Sequence, residues 1–102
     1  MTLDTNALEK AIARQRREPT TIDLDAFWRV AAQLPNHGEG YRDLNAALHL
    51  RYHDDGTTRQ QYKDIAAEWG VSVNRVRQVI EKALWLMRNP KRMNEWVRSN
   101  DP

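Results

Sequence analysis

The chain has 102 residues, enough for one ordinary hydrophobic core and too few for two, so a single domain spanning 1–102 is expected. Hydrophobic residues make up 40% and charged residues 29%, too apolar for a disordered chain, and no run approaches the roughly 20 apolar residues of a membrane-spanning helix. The absence of cysteine excludes disulfides, zinc ribbons and thiol catalysis, and is compatible with a reducing compartment such as the cytoplasm.

Residues 1–10 carry Asp4 and Glu9 and no apolar block, so no secretory signal is expected there. Leu8, Ala11 and Ile12 form a short helical stripe, with Thr5 as its predicted N-cap. After a break around Pro19, the residues Leu24, Phe27, Trp28, Ala31 and Leu34 form a stronger stripe, opened by Asp23 or Asp25 and closed by Pro35. The loop 36–40, which includes His37, lacks the spacing of a phosphate-binding loop and reads as a connector. Tyr41, Leu44, Leu48 and Tyr52 fall on one side of a third helix. A turn over 53–58 follows, then a fourth helix with Tyr62, Ile65, Ala66 and Trp69 that stops at Gly70. The fifth helix starts after Ser72 and carries Val76, Val79, Ile80, Ala83 and Met87 up to a break at Asn89 and Pro90. Met93, Trp96 and Val97 fit one or two further helical turns, and nowhere do polar and apolar residues alternate as in a strand. The expected fold is all-α, with five or six short helices: N-terminal helices of unassigned role in 1–40 and a helix-turn-helix region in 41–98.

Charge is unevenly placed along the chain. Net charge is only +2, yet 72–98 holds seven basic residues against two acids, a local balance of +5 that leaves −3 for the remainder. A basic C-terminal third suits a polyanionic partner, although a solvated basic helix has the same composition.

The helix ending at Gly70, the turn Gly70-Val71-Ser72 and the basic helix after it follow one another without spare residues, as in a helix-turn-helix. Gly70 permits the positive φ that ends the first helix, Val71 plugs the space between the helices and Ser72 caps the second. With Val76 pointing to the core, a helical wheel turns Asn74, Gln78 and Glu81 outward, with Arg77, Lys82 and Arg88 at the flanks. Val73, Asn74, Arg77 and Gln78 are therefore the predicted base-facing residues, and Arg75 and Lys82 the phosphate-facing ones. A helical hairpin with an ordinary wet face is the plainer alternative.

The run Gly70-Val71-Ser72, Arg75-Val76-Arg77-Gln78, Lys82-Ala83-Leu84 and Arg88-Asn89-Pro90 resembles region 4 of bacterial primary sigma factors in order and spacing. Leu48-His49-Leu50-Arg51-Tyr52 resembles the helix that precedes it, so the likeness covers 44–92, about half of the chain. The resemblance implies promoter binding through the second helix, with RNA polymerase as a further partner. It also implies DNA contact at Arg77 and Gln78 and an orienting role for Arg51. Val73 and Asn74 stand where such sigma factors usually carry Arg-Glu, which implies a target other than their usual upstream hexamer. The segment that melts the −10 element has no counterpart in these 102 residues. Trp85 also departs from the family, which usually has Arg or Lys there. It is expected to pack beneath the N-terminal helices, or else to meet a second chain.

Other signals are weaker. His49 and His53, four residues apart and followed by Asp54 and Asp55, have a metal-compatible spacing but read as polar residues before a turn, so no metal is assigned. Arg14, Arg16 and Arg17 read as solvation of the first helix. No nucleophile with a base, no carboxylate pair in a recognised motif and no glycine-rich cofactor turn is found, so neither catalysis nor a cofactor is expected. The expected function is sequence-specific binding of duplex DNA and regulation of transcription in the cytoplasm, either as a homodimer or on RNA polymerase. The size would suit a phage or mobile-element regulator. The alternatives are a protein-interaction module that docks on RNA polymerase or an anti-sigma-like partner with little DNA contact and, more remotely, a piece of a recombinase.

Overall fold

The computed structural model describes residues 7–16, 21–35 and 43–98. It is all-α, with six helices among the described residues: α1 (Ala7–Arg16), α2 (Leu24–Ala31), α3 (Leu44–Arg51), α4 (Tyr62–Trp69), α5 (Val73–Met87) and α6 (Pro90–Trp96). Thr5, His37, Arg17 and Tyr41 lie outside the described residues, as do the side chains of Arg14 and Arg16.

The local sequence accounts for the helix ends. Asp23 rather than Asp25 caps α2, its carboxylate accepting from the Ala26 N–H, and Asp43 caps α3 in the same way through Ala46. Ser72 Oγ accepts from the Arg75 N–H at 3.1 Å, and Asn89 Oδ1 accepts from the Lys91 N–H with Pro90 in the first turn of α6. Gly70 ends α4 in the left-handed region at φ 69° and ψ 35°. No neighbouring atom lies within 4 Å of where a Cβ would stand, so only the backbone conformation opposes a side chain. Gly70→Ala should therefore cost about 1–2 kcal/mol in chemical denaturation.

Several details differ from the sequence reading, among them the end of α2, which stops at Ala31 with Ala32 as its C-cap rather than running to Pro35. Val97 does not extend the last helix; it pairs with Ile22, and Arg98 with Thr21, in a two-residue antiparallel ladder formed by β1 (Thr21–Ile22) and β2 (Val97–Arg98). Two residues are too few to leave an alternating pattern in the sequence. Tyr52 is buried as its stripe requires, but it caps α3 in an extended conformation and bridges to Thr58 across the turn. In that turn Gly56 adopts φ 86°. The Thr57 hydroxyl, and after it the Thr57 N–H, hold the Asp55 carboxyl below its ordinary range.

One core of buried side chains runs from Leu8 and Ile12 of α1 through Phe27, Leu48, Ile65 and Ile80 to Trp96. The helix α2 packs chiefly on α6, while α5 packs on α3 and α4. Phe27 meets Trp96 edge-on, with ring centroids 5.2 Å apart, and the Trp96 indole N–H donates to the Met87 carbonyl at 2.9 Å. The start of α1 is tied to the 53–58 turn by a bond from the Leu8 N–H to the Gly56 carbonyl, and Glu9 accepts from the Ile22 N–H.

The expected place of Trp85 is corrected by this packing. It does not lie beneath the N-terminal helices: 64% of it is exposed. Trp96 fills that role, because α6 turns back from Asn89 and brings its indole against Phe27.

Candidate nucleic-acid interface

The helix α5 divides cleanly into two faces. Val76, Val79, Ile80, Ala83, Leu84 and Met87 are buried, and the first three fix the rotation of its N-terminal half against α3 and α4. Besides Glu81 and Trp85, six residues of α5 are exposed: Val73 at the start of the helix, Asn74, Arg75, Arg77, Gln78 and Lys82. None of these six side chains is covered by another element of the described structure.

The turn into α5 is held at both ends. The N–H groups of Gly70 and Val71 both reach the Ala66 carbonyl, which closes α4, and Val71 is half-buried against the core. The Ser72 cap then starts α5 at once, so the first exposed turn of α5 stands in a fixed relation to α4. Ser72→Ala should cost about 0.5–2 kcal/mol of unfolding free energy and loosen that turn, measurable by amide exchange at Arg75.

On the exposed face, Arg77 donates to Asn74 Oδ1 one helical turn earlier. This bond gathers a guanidinium and an amide into one hydrogen-bonding edge, with Gln78 beside it. Arg75 and Lys82 flank the edge, and Glu81 is the single acid between positions 72 and 82. Val73 is 48% exposed and adds an apolar contact at the start of the helix. The face is thus positive and rich in donors, with paired amide and guanidinium groups of the kind that match base edges.

Arg51 is placed elsewhere. Its Nη1 donates to the Gln60 carbonyl at 2.9 Å and its guanidinium lies 4.0 Å from the centroid of the Tyr62 ring. Together with Arg59, whose N–H donates to the Arg51 carbonyl, it fastens the segment leading into α4 onto the end of α3. Its place is that of a brace for α4. The sequence contained the parts of this contact, a cation and an aromatic, but 11 residues of separation gave no periodic signal.

His49 stacks on Trp28 at a centroid distance of 4.2 Å, with Nδ1 3.7 Å from an Asp54 carboxylate oxygen. The Trp28 indole N–H donates to the Asp54 carbonyl. This cluster joins α2, α3 and the following turn, and among the described residues no group of three potential metal ligands is assembled. Among the same residues no helix is long and apolar enough to cross a membrane.

Comparisons of the chain with protein-family models, with curated proteins and with solved structures found no match.

Proposed function

We propose that the chain binds duplex DNA through α5 and regulates transcription, working in the cytoplasm as a module similar to sigma factor region 4. The observation that carries this reading is the exposed face of α5, where Asn74, Arg77 and Gln78 form a hydrogen-bonding edge between Arg75 and Lys82 on a helix locked by its buried valines. The short α4, the glycine turn and the capped α5 have the order of a helix-turn-helix whose second helix enters the major groove by its N-terminal half. In that arrangement Asn74 and Gln78 suit adenine, Arg77 suits guanine, and Arg75 and Lys82 sit where phosphates pass. Val73 offers a methyl contact to thymine. Arg51 acts through the position of α4.

A single helix of this kind reads about half of an ordinary site, so affinity is supplemented by a second copy or by RNA polymerase. Selection of bound sequences from a random duplex pool tests the reading and separates these cases. A two-fold symmetric consensus indicates a homodimer, and one short element a monomer assisted by a second protein. Absence of enrichment, together with salt-independent binding, overturns the proposal. At the selected site Arg77→Ala and Gln78→Ala should each cost about 1–3 kcal/mol, with relaxed preference at one base position, as measured by competition binding.

A further inference from the structure

We infer that the corner between α5 and α6, centred on Trp85, is a docking surface for an acidic segment of a partner protein that inserts an apolar side chain beside the indole. The inference does not rest on DNA binding by the N-terminal half of α5.

Isolated apolar residues on a surface are ordinary, but Trp85 is not isolated. It borders a depression of about 220 Å³ walled by Leu86, Arg88, Asn89 and Pro90. A second depression, of about 460 Å³, shares Arg88 and Pro90 with the first and continues along α6 past Met93 and Asn94 to Val97. The two depressions adjoin at Arg88 and Pro90, with Trp85 and Leu86 lining the first and Met93 and Val97 the second. The first is of a size for one branched aliphatic or aromatic side chain, and the second lets the chain bearing it run on.

Charge selects the occupant. Four of the five charged residues from 81 to 92 are basic, Lys82, Arg88, Lys91 and Arg92, and Glu81 is the one acid among them. A second copy of this chain docked symmetrically would set that patch against itself, since a two-fold contact is made by the same surface on both sides. Like charges facing each other across a contact oppose it, whereas an acidic segment is drawn in and oriented. A nucleic acid shares the charge but not the shape. The indole borders a concave recess lined by Leu86 and Pro90 and presents no row of flat rings for stacking bases. One helix then carries an amide and guanidinium edge at its start and an indole with a basic collar at its end, with Lys82 between them.

The test uses the full chain and fluorescent 12-residue peptides with one central Leu, Phe or Trp, flanked either by Glu or by Lys. Fluorescence anisotropy should show saturable binding of the Glu-flanked set only. Trp85→Ser should weaken it at least tenfold, Trp85→Phe should retain most of it, and Lys91→Glu should weaken it several-fold. Trp85 is exposed, so Trp85→Ser should leave the thermal midpoint and the affinity for random duplex unchanged, which keeps this result separate from the DNA reading. Equal binding of both peptide sets, binding of neither, or indifference to Trp85→Ser overturns the inference. A loss of duplex affinity in Trp85→Ser would assign the indole to DNA instead. Loss of a dimer in sedimentation of that variant would assign it to a second copy.

Discussion

Trp96→Ala is expected to lower the unfolding free energy by about 3–5 kcal/mol, a large share of the 5–15 kcal/mol typical of a domain. Trp96 is the largest fully buried side chain, and its removal acts in three ways. It vacates an indole-sized volume between α2 and α6, since Phe27 contacts it edge-on at 5.2 Å. It leaves the Met87 carbonyl without the indole N–H that it now accepts from, at the junction where α5 gives way to α6. It also loosens the backbone bond from the Asp23 N–H to the Trp96 carbonyl, which lies beside the β1–β2 ladder. Trp96→Phe separates these effects: most of the volume is kept and the hydrogen bond is lost, so a smaller cost of about 1–3 kcal/mol is expected. Urea titration of both variants measures the two costs. Trp85→Ala in the same titration should fall within about 0.5 kcal/mol of the parent chain, because its indole is exposed.

The second large effect concerns salt. If Arg75 and Lys82 each neutralise one phosphate, the affinity for duplex should fall about 12-fold between 50 and 200 mM salt, from a slope of about −0.9 per contact. The triple variant Arg75→Gln, Arg77→Gln, Lys82→Gln removes those contacts without adding acid. Its binding to random duplex at low salt should drop below detection, or persist with almost no salt dependence. All three side chains are exposed, so the fold should survive, as far-UV circular dichroism would show. A triple variant that keeps the parent slope would place the phosphate contacts on another surface, such as the basic collar around Trp85.

Much of this architecture is legible in the sequence where periodicity and caps agree. The stripe Val76, Val79, Ile80, Ala83, Met87 behind Ser72 defines α5 because each buried position repeats the helical angle and the cap fixes the start. The outward direction of Asn74, Gln78 and Lys82 follows from the same wheel. What the wheel lacks is knowledge of neighbours. It turned Trp85 outward, but whether another helix waits there depends on how the chain turns at Asn89, which no spacing encodes. The run Leu84-Trp85-Leu86-Met87 does hold a clue, since four successive apolar residues circle the helix and one face must emerge from the core. The brace made by Arg51 and Tyr62, the His49 stack on Trp28 and the two-residue ladder are equally silent in the sequence, because each joins separate segments through one or two residues and leaves no periodic pattern. The proposed likeness to sigma factor region 4 rests on the motif order in 44–92 alone.

Binding of DNA at the exposed start of α5 is tested most directly by a heteronuclear NMR titration of the labelled chain with a short duplex carrying the selected sequence. Amide and side-chain signals of 72–82 should shift together and saturate, with the Gln78 side-chain amide and the Arg77 guanidinium among the largest changes, while α1 and the Trp85 indole stay in place. Unmoved signals across 72–82, or shifts confined to other helices, would contradict it.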